Sequence, residues 1–574
     1  MALPDPSSGA VEAPAAPGPL DTHLEALLEE RFRSLTARHP VAATFLGIHE
    51  HDERLGSRSR EAMEQEIAED RRFLAALDDL DVAGLSPTAR FEREIALLGA
   101  RRALFDDDVH RIWEQRASAM DEVGDGVFSL FARDFAPLAT RLTSISARLE
   151  DVPRLLAEQP SQVGPRAVRL WNELELQAAG QMGSLFDEVV AAGIAEWGAA
   201  DRRQARLEAA ALRARGAISD YQGWLRRLLD GAGESFALGR ERYDELVDLR
   251  AFDDLDSQAI LEIGWQQLAA MHLARQQAAA EIDPEASERD VVTRVRADHP
   301  PTFEMALEEY RAVMLRARSF LIEHDLVTIP EGESLRVVAT PEYLRNMLPF
   351  AAYFEAPPFD ARPAGIYVVT PSVDGDPGAM NEHSHSSISN TSIHEAYPGH
   401  HLQLSAAITH PSLARLLVDA PEFVEGWAMY SEQMMREQGF DTGPAFMVTL
   451  YTDAIWRACR IVLDVRLHRG EIGIAEAIDF LVEHTGFERP NATAEVHRYT
   501  MTPTQPLSYL LGKVLLLRLR EDEQRRLGGD FSLKRFHDAL IYAGSLPISL
   551  QRRQLAGEGD GPASPRPLPR AAAR

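Results

Sequence analysis

From Asp21 to about Glu281 the apolar positions follow a helical rhythm: Leu24, Leu27, Leu28, Phe32 and Leu35 recur at three- and four-residue steps, with charges on the opposite face. The same pattern predicts helices over 89–104, 139–155, 177–194, 205–229 and 256–282, separated by Pro, Gly or Asp breaks. No fixed-period repeat emerges. Between about Ile329 and Pro371 the texture changes to short β-branched runs, 335–340 and 365–370, which predict a small sheet. Pro349, Pro357, Pro358 and Pro363 predict an irregular connection between them, with Pro341 placed to open a short helix over 341–345. Helical periodicity resumes at Ser387 and runs to about Leu527. The ends differ from the body. Residues 1–20 read as a Pro/Ala/Gly/Ser leader and 557–574 as a Pro/Ala/Arg tail, both too poor in apolar residues to fold.

Composition narrows the function classes. The 574 residues hold 60 Lys+Arg against 89 Asp+Glu, a formal charge of −29, so the bulk field repels phosphate backbones and anionic headgroups. Nucleic acid and membrane are therefore not expected partners, and chemistry has to reside in a local pocket. Hydrophobic residues at 45% supply an ample core. The single cysteine, Cys459, cannot form an internal disulfide and sits among apolar neighbours in a helical stretch, which predicts a buried, inert thiol. The leader lacks a basic n-region and a continuous apolar stretch, and no window approaches the ~18 apolar residues of a membrane span. A cytoplasmic location is expected.

The chemistry-bearing string is Ser392-Ile393-His394-Glu395-Ala396-Tyr397-Pro398-Gly399-His400-His401. A His-Glu pair approaching a second histidine resembles H-E-x-x-H, in which two imidazoles one turn apart hold zinc and the Glu activates water. Here Pro398 occupies the place of the second histidine. On an uninterrupted helix His401 would fall within about 20° of the His394 face and His400 about 120° off it. The rise argues the other way, because seven residues separate His394 and His401 by about 10.5 Å, too far for one ion. Pro398 clashes with the His394 carbonyl and forces a kink or bulge, which Gly399 permits. His400 is preferred as the second ligand, with His401 the alternative. Downstream, Glu422, Glu425 and Glu432 offer carboxylates on a second predicted helix, one to ligate and another to orient a histidine.

These residues carry a resemblance. His394-Glu395-x-x-Pro398-Gly399-His400, then Glu425-Gly426-Trp427-Ala428-x-Tyr430-x-Glu432, Glu495-x-x-Arg498-Tyr499 and Gln505-x-x-Ser508-Tyr509-x-x-Gly512, with the early Pro40–Gly47 segment, resemble the bacterial family known as domain of unknown function 885. That family is similar to helical gluzincins of the thimet oligopeptidase and angiotensin-converting-enzyme type. The resemblance implies His394, His400 and Glu425 as zinc ligands, Glu395 as general base and later proton donor, Tyr499 or Tyr509 as oxyanion donor with Tyr499 preferred, and Arg498 as a substrate-carboxylate contact. It departs from those gluzincins in its Pro-Gly insertion, although dipeptidyl peptidase III resembles it in having a lengthened motif. The expected architecture is mainly α: a large two-lobed helical body around a deep cleft, with a helical lobe over 21–290 and a catalytic lobe over 291–556 that carries the sheet and the zinc helices. The expected substrate is a short peptide or a small amide, and the strand at 365–370 is expected to offer an edge to an extended peptide. His383 and His385 read as part of a polar, helix-capping loop, Trp427 and Met429 as core, and Arg457, Arg460 and Asp464 as one internal ion network.

Overall fold

Helices begin where the sequence supplies caps. The computed structural model describes residues 18–340, 345, 351–371 and 378–558. Ser59 and Ser86 accept hydrogen bonds from Ala62 and Ala89 N–H at the starts of helices Arg60–Asp78 and Pro87–Leu104, each satisfying a donor the first turn leaves orphaned. Thr302 does the same for Phe303–Glu323. The predicted helices are observed, most of them longer than their periodic cores, as in Leu138–Glu158, Arg169–Trp197 and Arg202–Gly231, while Ser257–Ile282 matches its expected span. The fold is mainly α, with one three-stranded sheet. One expectation shifts at the start of the chain. Residues 1–17 of the leader lie outside the described residues, and Pro19 and Leu20 already form the first turn of helix Pro19–Arg38. The tail beyond Glu558 and residues 341–344 of the short helix expected at 341–345 also lie outside them.

The sheet comprises β1 (Leu335–Ala339), β2 (Ala351–Phe354) and β3 (Gly365–Val369), in the order β1-β3-β2. β3 pairs parallel with β1 and antiparallel with β2, so it is the central strand, buried along its whole length. This corrects the expectation that residues 365–370 present a free edge, since both sides of that backbone are already hydrogen-bonded. The strand β2 was missed because prolines on either side masked a run of only four residues, too short for alternation to register.

Apolar packing divides in a way that chain order does not follow. One core is built from Ala119–Ala132, Leu138–Glu158, Arg169–Trp197 and Arg202–Gly231, and a larger one unites residues of the first and fourth helices, such as Leu24 and Phe91, with residues 243–555. The N-terminal helices therefore contribute directly to the core that surrounds the site. Within that core, helices Pro421–Glu437 and Ser508–Leu527 cross with their backbones in contact. A Cβ at Gly512 would sit 1.8 Å from the Glu422 carbonyl oxygen, and one at Gly426 would sit 2.5 Å from the Gly512 carbonyl carbon. Gly512→Ala should force the helices apart and destabilise the protein by about 3 kcal/mol, the upper part of the usual overpacking range. Urea denaturation of the variant beside wild type measures this, and an unchanged midpoint would refute the close crossing.

Candidate metal centre

Helix His385–Glu395 starts at Ser384, whose Oγ accepts from Ser387 N–H, and it ends at Glu395. The chain does not kink and continue, as expected, but breaks: Ala396 leaves helical geometry, Tyr397–Pro398 is a cis peptide, and a new helix, His400–Ala407, begins after Gly399. Gly399 is required by proximity, because a Cβ there would lie 1.8 Å from the His394 carbonyl oxygen. The Trp427 indole donates to the Pro398 carbonyl at 2.7 Å, tying the turn to helix Pro421–Glu437. Trp427 and Met429 are both fully buried, as their core reading expects.

The break brings His400 against His394, with ring centroids 4.7 Å apart and nearly perpendicular. Glu425 Oε2 lies 3.3 Å from His400 Nε2 and 3.7 Å from His394 Nε2, and the ligand atoms of the three residues all fall within 4.8 Å of one another. Two ligands at 2.0–2.1 Å on a tetrahedral ion are about 3.3–3.4 Å apart, so the spacing suits zinc. Glu425 Oε2 is buried and accepts no hydrogen bond, despite its nearness to both imidazoles, which fits an atom shaped to receive an ion. Glu432 Oε1 sits 2.7 Å from His394 Nδ1 and fixes the tautomer that turns the Nε2 lone pair toward Glu425. Asn390, one turn before His394, donates to Glu432 and to Asp453. Burial opposes a charge on His394, but the Glu425 and Glu432 carboxylates outweigh it and push the imidazole up to about 10. Glu425 is held well below the carboxylate range: burial acts against this, and the His400 and His394 imidazoles overcome it.

The adjacent histidine is committed elsewhere. His401 is fully buried, with Nε2 2.7 Å from Glu333 Oε2 and Nδ1 3.1 Å from the Tyr353 hydroxyl, and Glu333 also binds Tyr397 and Arg318. The structure therefore brings His400, not His401, to the trio. Glu422 is buried with both oxygens unpartnered, and burial raises its carboxyl to about 8; it stands outside the trio. Glu395 is half-buried at the end of its helix, beside His394. His383 is buried against Tyr310, and His385 pairs with Glu309, so neither joins the trio.

The two tyrosines separate. Tyr499 is buried, its hydroxyl donating to Glu495 Oε2 and accepting from Trp456 and Arg460. Tyr509 stands one turn before Gly512, at the crossing that carries Glu425, and its hydroxyl takes one long hydrogen bond from Gln505 at 3.4 Å. Burial and the Glu425 carboxylate hold its phenol above the usual range, against the pull of Arg460 and Arg498. Arg498 pairs with Glu495 and Gln505 and keeps 36% of its side chain exposed. The expected Arg457-Arg460-Asp464 network is not formed. Asp464 accepts from Tyr243 and Thr504 N–H, Arg457 pairs with Asp453, and Arg460 turns to Glu495 and Tyr499. Sequence reasoning missed Asn390, whose four-residue step from His394 was a usable signal, and Glu333, Tyr353 and Asp453, which arrive from distant segments without one.

Residues 40–555 match a family of bacterial proteins of unknown function, DUF885. The chain belongs to that family. Two solved structures share the fold of this DUF885 member. One is a candidate lipoprotein of unknown function from Shewanella oneidensis, 22% identical, with a TM-score of 0.76 over 93% of this chain and 99% of that one. The other, a candidate lipoprotein from Colwellia psychrerythraea, is 18% identical with a TM-score of 0.81, covering 93% and 98%. No curated protein matches. Among the described residues, no helix is long and apolar enough to cross a membrane. Glu432→Gln in this DUF885 chain should weaken zinc binding about 10–100-fold while the fold persists. Competition with a chromophoric chelator measures the loss, and equal affinity would remove Glu432 from the orienting role.

Proposed function

We propose that the protein is a zinc-dependent hydrolase that cleaves an amide bond in short peptides. The observation that carries this reading is the convergence of His394 Nε2, His400 Nε2 and Glu425 Oε2, with Glu432 behind His394. Similarity to the helical gluzincins supports it, because the seven-residue step from Glu425 to Glu432 separates a ligand from the residue that aims another ligand. Zinc bound there supplies a Lewis acid that polarises the scissile carbonyl and lowers the pKa of water. Glu395 follows His394 directly, and its carboxylate makes no hydrogen bond among the described residues, so it is free to accept a proton from the attacking water and pass it to the departing amine. Tyr509 has its hydroxyl proton uncommitted and is the donor we assign to the developing oxyanion, in place of the fully engaged Tyr499. Arg498, which keeps 36% of its side chain exposed, is the residue we assign to contact a substrate carboxylate.

One observation favours a second reading, a helical binding protein with a degenerate centre. His400 Nδ1 is buried without a partner, whereas ligating histidines nearly always donate that proton. A third reading keeps zinc but acts on an amide in a small metabolite, which profiling peptides against N-acyl amino acids separates from a peptidase. We keep the cytoplasm as the expected location; the two structural relatives, described as candidate lipoproteins, raise the cell envelope instead, and cell fractionation decides between them.

Elemental analysis of the purified protein should find about one zinc per chain, the stoichiometry of a single catalytic site. Glu395→Gln should keep that zinc while peptide turnover drops by about 10²–10⁴-fold. A chain that takes up no zinc supports the binding reading, and undiminished turnover in the variant excludes Glu395 as base.

A further inference from the structure

One carboxylate beside the trio takes no part in binding metal, orienting a histidine or moving the proton. Glu355 follows strand β2 directly. Two residues earlier, Tyr353 places its hydroxyl 3.1 Å from His401 Nδ1. A Cβ at Gly365, which the β2–β3 register continued by one pair sets opposite Glu355, would strike that same nitrogen at 2.8 Å. The end of β2 is therefore pinned against the helix that starts at His400. Alternation along the strand turns Glu355 to the Tyr353 side, and the charged group that acts on it most strongly is the His400 imidazole. Its oxygens are not among the ligand atoms that converge in the trio, so it stands beside the centre without being a ligand. Glu355 is exposed, and among the described residues it makes no hydrogen bond or ion pair. Burial nevertheless pushes its carboxyl up, and His400 and Arg133 only partly offset this. Water reaches the side chain while protein crowds it, as on the wall of a recess. Arg133 does not neutralise it: that guanidinium is 7% exposed, lies over the Phe45 ring at 5.4 Å and answers first to Asp360.

We propose that Glu355 receives an ammonium group of the substrate, the free α-amino end of a short peptide or a lysine-type side chain, and so sets which peptides the centre accepts. The consequence for cleavage rests on the hydrolase reading, whereas the contact itself is measurable by binding. A cationic group that approaches a metal-loaded centre needs a carboxylate of its own, because like charges repel across a few ångströms. Glu425 is engaged in the trio, Glu432 is held by His394 and Asn390, and Glu395 is assigned as the base, so Glu355 is the carboxylate left for that contact. Crowding by protein strengthens such a pair relative to one in open water. A blocked, neutral end leaves Glu355 in its recess without a counter-charge.

The test is equilibrium dialysis of the zinc-loaded, full-length Glu395→Gln protein against two matched pairs of tripeptides that share one free C-terminus. The first pair is alanyl-alanyl-phenylalanine with its amino end free or acetylated; the second is N-acetylated and begins with lysine or with norleucine. In at least one pair the ammonium peptide should be retained about tenfold or more over its neutral counterpart, as a charge pair taken out of bulk water provides. A preference in the first pair identifies the α-amino end as the source, and one in the second identifies the side chain. Adding Glu355→Gln should erase the preference while zinc content and retention of the neutral peptides stay unchanged, and Glu355→Asp should keep part of it. Equal or absent retention in both pairs, a preference that survives Glu355→Gln, or a loss that falls on neutral and charged peptides alike would each overturn the assignment. Wild-type protein that cuts none of the four peptides would count against the hydrolase reading, and retention would still report on the Glu355 contact.

Discussion

The hydrogen bond from the Trp427 indole to the Pro398 carbonyl is the constraint from which the centre follows. It joins the broken turn between two short helices to the helix that carries Glu425 and Glu432, so the two histidines and the carboxylates share one frame. A continuous helix would leave His400 on the wrong side of its axis; the break lets the second helix start in a new direction. Glu333 completes the placement from the other flank by holding His401, which turns the preceding residue toward the trio. The indole is fully buried, so the bond is shielded from competing water.

Charge in this region is arranged in two compartments that meet at Tyr509. On one side, carboxylates outnumber histidines: Glu425 and Glu432 both act on His394, and Asn390 and Asp453 extend the hydrogen-bonded chain behind them. On the other, two guanidinium groups, Arg460 and Arg498, share the single carboxylate of Glu495. The overall acidity of the protein says nothing of this local polarity, because most of its carboxylates are paired or solvated at the surface.

The fold class was legible because helical periodicity survives in almost every segment, and the serine caps confirmed where several helices start. The trio was legible because all of its members come from two local motifs, and Glu432 was recognisable from its step of two helical turns beyond Glu425. What sequence could not show is how the Pro-Gly step resolves. Its two outcomes, a bulged helix and a full break, have the same residues, and only the packing of Trp427 and Glu333 selects between them. Arg460 shows a related limit: its spacing from Asp464 fits an ion pair on one helix face, yet Tyr243 and Thr504 claim the aspartate first. The central position of β3 was equally hidden, since the strand that covers its second side is four residues long.

The crossing at Gly426 and Gly512 has a mechanical consequence. Helices normally meet through a layer of side chains whose rotamers allow small sliding movements, and here that layer is missing, with backbone resting on backbone. The two helices are consequently locked against shear, and Glu425 and Tyr509 travel as one rigid piece. The separation of the Glu425 carboxylate and the Tyr509 phenol is therefore set by backbone contact and not by side-chain rotamers.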